Sequence, residues 1–482
     1  MEITRTQELR RIIEAGAASA MSLPEIIQEE IRGFFLSPQY GMMEEAERYY
    51  RNRSAVQGKT TRFQNRSNTK IEHPILKKLI DQKVNYLLSR PFSVEGSSPE
   101  YTKALEELFD RPFRQKVQSL GKGAVKSGIA WLAPYFENNR LQWMRLPSTE
   151  VIPLWQDAEH TRLDGYIRVY SQIVYSGREK KTVARVEFWD KTGVTKYKTQ
   201  WPVTTSQGLQ PDYDGSPAAN QFPHFTINGK PYSWGTAPLV WAKYNEEELP
   251  LQYFLKELID DMNWQTSLTA DALRDVAKFI FVLKNYGGQG VDQFVRELQE
   301  ALAIQVEADG GVEKLEPTIH IEAVTALLEK TRRDIFDFGS GVDTKDPELG
   351  NASGTAIHFR YMDLDADCAS LGAQLQDTFQ QMKPFLDQQL LLAGKGDFSH
   401  EGFTVTFNAD LPVNETDIIQ NIQASQGIVS RRTLLANHPW VTNVEAEEKA
   451  LAQEKQAAMA EFGGNLFPGP TELEAGGQNG RQ

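Results

Sequence analysis

Apolar residues recur every three or four positions along two stretches that flank one polar loop, between Ile319 and Leu392. The first stretch carries Ile321, Val324, Leu328, Ile335 and Phe338. The second carries Ile357, Tyr361, Leu364, Cys368, Leu371, Leu375, Phe379, Met382, Leu386 and Leu390. Each is the seam of a helix that packs along its length. The connection from Gly339 to Gly354, GSGVDTKDPELGNASG, is polar and bracketed by glycines. Pro384 removes a rung from the second helix and predicts a kink there.

The rest of the chain alternates between helical and strand periods. PEIIQEEIRGFF, GMMEEAERYYRN and HPILKKLIDQKVNYLLSRPF predict helices, the second charged and solvent-facing. TTRFQNRSNTK predicts a loop. Two further helices fall at about 99–109 and 113–127. After Gly128 the period becomes two, and residues 129–200 predict an antiparallel β region. Residues 202–236 form a long excursion, and APLVWAKY returns as a strand. From Asn245 the acidic NEEE predicts a helix start, with a seam of Leu251, Leu255, Leu258 and Met262. FIFVLKNY, VDQFVRELQEALA and IQVEA predict a small α/β insert before the organising stretch. FTVTFNADLP predicts a strand beyond it, followed by two short helices, the second capped by Ser430, and a charged helix AEEKALAQEKQAAMAEF.

Composition narrows the function. The 482 residues carry 52 basic and 65 acidic side chains, a net charge of −13. That balance argues against a clamp that neutralises phosphates, while leaving room for a surface past which a polyanion slides. The single cysteine, Cys368, lies on an apolar seam and reads as a small buried hydrophobe. No secretory leader and no apolar run of about 20 residues is present, so an intracellular protein or a component of a particle assembled inside a cell is expected, with no membrane partner.

Chemistry is weakly signalled. GKGAVKSG resembles a phosphate loop, but Val125 stands where glycine must precede Lys126 and Ser127. Asp363, Asp365 and Asp367 alternate like calcium ligands, but Cys368 and Gln374 replace the required Gly and Glu, so a solvated acidic face is expected. The seven histidines lack metal-ligand spacing, and GNASG is not a nucleophile elbow. No catalytic group, metal or cofactor is expected. Lys330, Arg332 and Arg333 form a short basic cluster, which alone reads as a solvated face.

Several strings, in this order, resemble the portal (head–tail connector) proteins of tailed bacteriophages, in particular siphophages of Gram-positive hosts. They are Asp81-Gln-Lys-Val-Asn-Tyr86-Leu-Leu with Arg90-Pro91, Gly128-Ile-Ala-Trp-Leu, Arg168-Val-Tyr170, Asn245-Glu-Glu-Glu-Leu249, Asp334-Ile-Phe-Asp-Phe-Gly339 with Gly341-Val-Asp343, Gly350-Asn-Ala-Ser-Gly354-Thr-Ala-Ile, and Leu411-Pro412-Val413-Asn414-Glu415. The resemblance covers about residues 40–455. It implies an α+β portal fold. Residues 1–244 would be a helical and antiparallel-β wing, 245–277 and 318–339 a two-helix stem, and 278–317 a small α/β clip. Residues 340–353 would be a tunnel loop, 354–394 a long kinked wing helix and 395–412 a wing strand. A helical crown would occupy 413–462, and a tail without order 463–482.

The resemblance further implies a ring of about twelve copies with cyclic symmetry at one capsid vertex of the virion, built in the host cytoplasm. Double-stranded DNA would pass through it. The terminase large subunit, a head–tail adaptor, the scaffold and the major capsid protein would be its partners. About twelve helices packed 8–10 Å apart give a ring about 35 Å across, whose bore suits a duplex. The DNA-facing candidates are Val342, Asp343, Thr344, Lys345, Asp346, Glu348 and Asn351, with Lys330, Arg332 and Arg333 as a basic ring. Clip candidates for partner binding are Lys284, Tyr286, Gln289, Glu307 and Lys314. The alternatives are a head–tail adaptor or capsid component that forms no channel, and a motor ATPase, which the missing phosphate loop disfavours.

Overall fold

The computed structural model describes residues 21–61, 66–203, 208–213, 220–227, 229–276, 280–284, 290, 292, 308–315, 320–345, 354–408, 415–441 and 444–463. Two compact units divide the chain, one drawn from 1–346 and 361–410, the other from 347–360 and 411–482.

The larger unit begins with α1 (Leu23–Phe35) and α2 (Pro38–Tyr50), each with a proline in its first turn and a serine before it. The capping box of Ser22 and Glu25 closes the start of α1. Contrary to expectation, α2 is not a solvated helix, because Met43, Ala46 and Tyr49 are buried on one of its faces. Next come α3 (Ile75–Leu88), β1 (Ser93–Gly96), α4 (Pro99–Leu108) and α5 (Arg111–Ser127). Gly128 ends α5 with φ +82, and a Cβ there would run into the Glu248 carbonyl. That close approach explains the helix end read in the sequence as a broken phosphate loop.

The β region follows as β2 (Ile129–Glu137), β3 (Arg140–Leu146), β4 (Val151–Trp155), β5 (Leu163–Ser176), β6 (Glu179–Trp189) and β7 (Val194–Gln200). The excursion contributes β8 (Gln210–Pro211), β9 (Gln221–Phe222), β10 (Phe225–Ile227) and β11 (Lys230–Tyr232) before β12 (Val240–Lys243). Strands β12, β2 and β3 make one antiparallel sheet, and β4 to β8 with β9 make another. The apolar face of α1 (Ile26, Ile27, Ile31, Phe34) packs into one core with Trp131, Leu154, Ile167, Val186 and Phe188 from these sheets.

Then come α6 (Leu251–Val276), β13 (Ile280–Lys284), β14 (Gly311–Leu315), α7 (Ile321–Phe338), α8 (Gly354–Leu392) and β15 (Phe403–Thr406), which pairs with β1. Helix α6 starts six residues later than the acidic NEEE suggested. Glu248 adopts φ +58 and is buried on Lys243, His160 and Gln39, so it anchors a turn instead of opening a helix. In the insert, β13 pairs with Gly311–Leu315, a segment expected to be a turn and its exit. Residues 293–307, including the expected helix and most of IQVEA, lie outside the described residues, as do 1–20 and the tail from 464.

Helix α8 buries its seam as read, from Leu364, Cys368, Leu371, Leu375, Phe379 and Met382 to Leu386 and Leu390. Pro384 lies within it. Its polar residues close strand edges. Gln376 and Gln380 donate to the Val405 and Phe403 carbonyls at 2.9 Å each. Gln381 accepts from Trp241 N–H and Gln389 from Leu141 N–H, both at 2.9 Å.

The same device binds the segment 67–73 to α6. The backbone N–H groups of Ser67, Thr69, Ile71 and His73 donate to Asp275, Asp271, Ser267 and Asn263. Two extended residues advance about 6.6 Å and four helical residues about 6 Å, so the two ladders stay in step. Lys59 adds a buried ion pair to Asp271.

The smaller unit contains α9 (Glu415–Ala424), α10 (Arg431–Ala436), capped by Ser430 as expected, and α11 (Val444–Gly463). Among the described residues no helix is long and apolar enough to cross a membrane.

Candidate functional site: the clamped root of the interhelical loop

The loop after α7 starts from a tight helix end. Gly341 N–H donates to Phe336 O and Ser340 N–H to Asp337 O, while Ser340 takes φ +46. This is the paired closure of a Schellman motif, with serine where glycine usually sits. Gly339 and Gly341 are required by proximity, since a Cβ on either would meet the Leu79 side chain.

Three residues on α3 then hold the chain. Lys83 donates to Ser340 O at 3.0 Å. The Gln82 amide pairs both ways with Val342, accepting its N–H and donating to its carbonyl at 3.0 Å each. Lys78 reaches Thr344 Oγ1 at 3.2 Å and Asp343 at 3.7 Å. From the helix side, Arg332 grips Asp343 with two donors at 2.5 and 2.8 Å. The Asp343 carboxyl also accepts the Lys345 N–H at 3.1 Å. Burial alone would raise the pKa of Asp343, but these donors and the Arg332 charge hold it below the usual carboxylate range. The same contact pushes Arg332 up.

Lys83 ties this root to α8. Its ammonium is fully buried and pairs with Asp367 at 2.8 Å, and Asp367 also accepts from Tyr244 Oη. Asp365 accepts from Tyr86 Oη at 2.8 Å. Only Asp363 of the three alternating aspartates remains on the solvated face expected for all of them. Burial pushes the Cys368 thiol up to about 12, so it stays protonated. Its Sγ lies 3.6 Å from the Lys83 carbonyl. Among the described residues no cluster of His, Cys, Asp and Glu could hold a metal.

The candidate residues fall into separate groups. Val342 is a buried anchor, not a surface residue, because both its backbone groups are bound to Gln82. Asp343 is neutralised inside the root. Thr344 and Lys345 are exposed, and Asp346, Glu348 and Asn351 lie outside the described residues. In the basic cluster, Arg332 is spent on Asp343 and Lys330 pairs with Asp334 at 2.6 Å. Arg333 is exposed, without an ion-pair partner among the described residues. Lys284 sits opposite Gly311 and Lys314 opposite Phe281 in the β13–β14 register, whereas Tyr286, Gln289 and Glu307 lie outside the described residues.

Helices α6 and α7 carry an apolar surface that the described residues leave uncovered. On α6, Tyr253, Phe254, Trp264, Leu268 and Leu273 are exposed, and on α7, Ile321, Leu327 and Phe338. The expected seam of α7 is buried only near its end, at Ile335 beside Phe336 and Thr331.

The chain is similar to known proteins. The family model described as phage portal protein, SPP1 Gp6-like, matches residues 37–461. The portal protein of Bacillus phage SPP1 is 28% identical over 407 residues, covering 83% of this chain and 79% of that protein. The portal protein of Clostridium phage phiCD119 is 24% identical over 475 residues, covering 93% of this chain and 96% of that one. A chain from the virion of a native gene transfer agent particle aligns with a TM-score of 0.42 and 12% identity, over 88% of this chain and 96% of that chain.

Proposed function

This chain belongs to the SPP1 Gp6-like family of phage portal proteins, and from that premise we propose that its copies close into a ring whose bore conducts double-stranded DNA into and out of the phage head. Its role in the virion is structural, not catalytic. The observation that carries the ring is the uncovered apolar surface of α6 and α7, which a lone chain would leave in water. In about twelve copies this surface packs against the next subunit as the stem. The β13–β14 insert is then the clip that receives the terminase and later the adaptor. The strand-rich N-terminal region and α8, with Pro384 inside it, form the wing, and α9 to α11 lie in the crown.

The clamp supports a division of labour at the loop. Residues 339–345 are a rigid hinge post, and the part beyond Lys345 faces DNA. With Asp343 compensated by Arg332, the loop offers Asp346 and Glu348 against Lys345. A duplex is then guided sterically past a weakly acidic rim, with Arg333 as the remaining cation of the proposed ring. Negative-stain microscopy of the purified protein tests the ring: closed rings with a central hole are expected, and monomers or open filaments refute it. Shortening the loop within 346–353 should lower packaged DNA without dissolving the rings, and normal packaging and retention would remove the loop from the mechanism.

A further inference from the structure

Helix α8 closes several strand edges with side chains, but the outer edge of β5 has no such cover among the described residues. Helix α8 caps β15, β12 and β3 with Gln376, Gln380, Gln381 and Gln389. Strand β5 has a neighbour on both sides only as far as Arg168, where its pairing with β4 ends at Val151. From there it continues to Ser176 beside β6 alone. The outer part of this ribbon leaves the core, and Ile173 and Tyr175 are 52% and 76% exposed.

The hydrogen-bond phase of the ribbon follows from its turn. Ser176 and Glu179 flank the two-residue turn Gly177–Arg178, with Gly177 at φ +61. The pair flanking such a turn is hydrogen-bonded, and the pattern alternates behind it. Val174 and Gln172 therefore face β6 with their backbone groups, while Tyr175, Ile173 and Ser171 direct theirs outward. Among the described residues these outward groups meet no backbone partner. A two-stranded ribbon is marginal in water and gains from a third strand. An edge with outward N–H and C=O groups every second residue accepts an extended chain. Its tip carries Arg178, Lys180 and Lys181 against Glu179, a local excess of two positive charges on a chain of net charge −13.

We propose that the outer edge of β5, from Ser171 to Tyr175, is a strand-addition site for an extended acidic segment of a different protein in the particle. Main-chain pairing supplies the geometry, Ile173 and Tyr175 offer apolar contact at alternate positions, and the cations at the tip select acidic over basic segments. A second ribbon of this chain is disfavoured as occupant because it would bring like charges together.

Amide hydrogen exchange on the full-length protein tests this, with a synthetic peptide of about seven residues alternating glutamate and valine as probe. The expected result is at least tenfold slower exchange at Ser171, Ile173 and Tyr175, absent with a peptide carrying lysine for glutamate. Reversing the tip (Arg178→Glu, Lys180→Glu, Lys181→Glu) should invert that preference. Ser171→Pro, which removes one outward donor and leaves the β6 ladder intact, should weaken the acidic peptide with an unchanged unfolding midpoint. No protection by the acidic peptide, equal protection by both peptides, or amides already protected in the purified protein overturns the proposal; the last would place a second copy of the chain on this edge.

Discussion

Helices α8 and α7 carry the same kind of apolar seam, and the chain treats them in opposite ways. Every seam position of α8 from Leu364 to Leu390 is buried within one subunit, with Phe379 set among the rings of Phe92, Phe109 and Phe113. On α7, Ile321 is 51% exposed and Phe338 68% exposed, and the neighbouring face of α6 shows the same pattern. Periodicity states that a face will be buried; it does not state by which chain. In the ring proposed above, the seam that one subunit leaves open is the surface offered to the next.

That contrast is broken most directly by truncating one residue on each side of it. Phe379→Ala in α8 should cost about 3–5 kcal/mol, because it opens a cavity in a filled core. Leu268→Ala on α6 should change the stability of the dilute monomer by no more than about 0.5 kcal/mol. It should nevertheless reduce the fraction of rings in sedimentation. Urea unfolding of both variants below the assembly concentration separates the two. Equal losses would mean that the α6 face is already covered within one chain.

The next largest effect concerns the polar link between the helices. Lys83 is buried and pairs with Asp367, so Lys83→Met leaves a carboxylate with Tyr244 as its remaining donor. The expected cost is about 3 kcal/mol, at the lower end for a broken buried pair because Asp367 keeps some access to water. Adding Asp367→Asn should restore part of it, and a double-mutant cycle in thermal unfolding measures how much. If the single change is silent, the Lys83–Asp367 pair is not what ties the loop root to α8.

These two regions also show what was legible in the residues. The α8 seam, the hairpins of the β region and the Ser430 cap were readable because each depends on neighbours within a few positions. The clamp was not, because Gln82 and Val342 are 260 positions apart and Ile75–Leu88 reads as an ordinary amphipathic helix. The ladder between 67–73 and α6 left a signal that period counting on apolar residues passes over. Asn263, Ser267, Asp271 and Asp275 repeat every four residues on one helical face. Hydrogen-bonding side chains at that spacing, near a polar segment with no strand pattern, mark a chain laid along a helix. Asp343, a DNA-facing candidate by its place in the loop, shows a related limit: charge read along the chain cannot tell a solvated carboxylate from one already gripped by arginine.

A smaller effect is expected where the backbone itself is strained. Ser340 holds φ +46 at the exit of α7, and glycine reaches that region without steric cost. Ser340→Gly should stabilise the folded root by about 1 kcal/mol or less, because the substitution also frees the unfolded chain. Gly341→Ala should act the other way, since its new Cβ would press on Leu79. Opposite shifts in unfolding midpoint are expected, and shifts of the same sign would separate the stability of the root from this turn.

The smallest effect is the pH response of the root. The carboxyl of Asp343 titrates below its ordinary value of about 3.9. A depressed carboxylate stabilises the fold at every pH above its unfolded value and loses that contribution as pH falls through the folded one. The Arg332–Asp343 contact is therefore constant through neutral pH and fails only below about pH 4. The gap in unfolding midpoint between wild type and Asp343→Asn should be flat from about pH 8 to pH 5 and close in more acidic solution. The exposed apolar residues Ile321, Leu327 and Phe338 of α7 do not themselves titrate, so ring assembly in Asp343→Asn should follow wild type across the neutral range. A gap that instead closed near neutral pH would show that Asp343 is not charge-paired in solution, and that the acidic residues of the loop act as one solvated group.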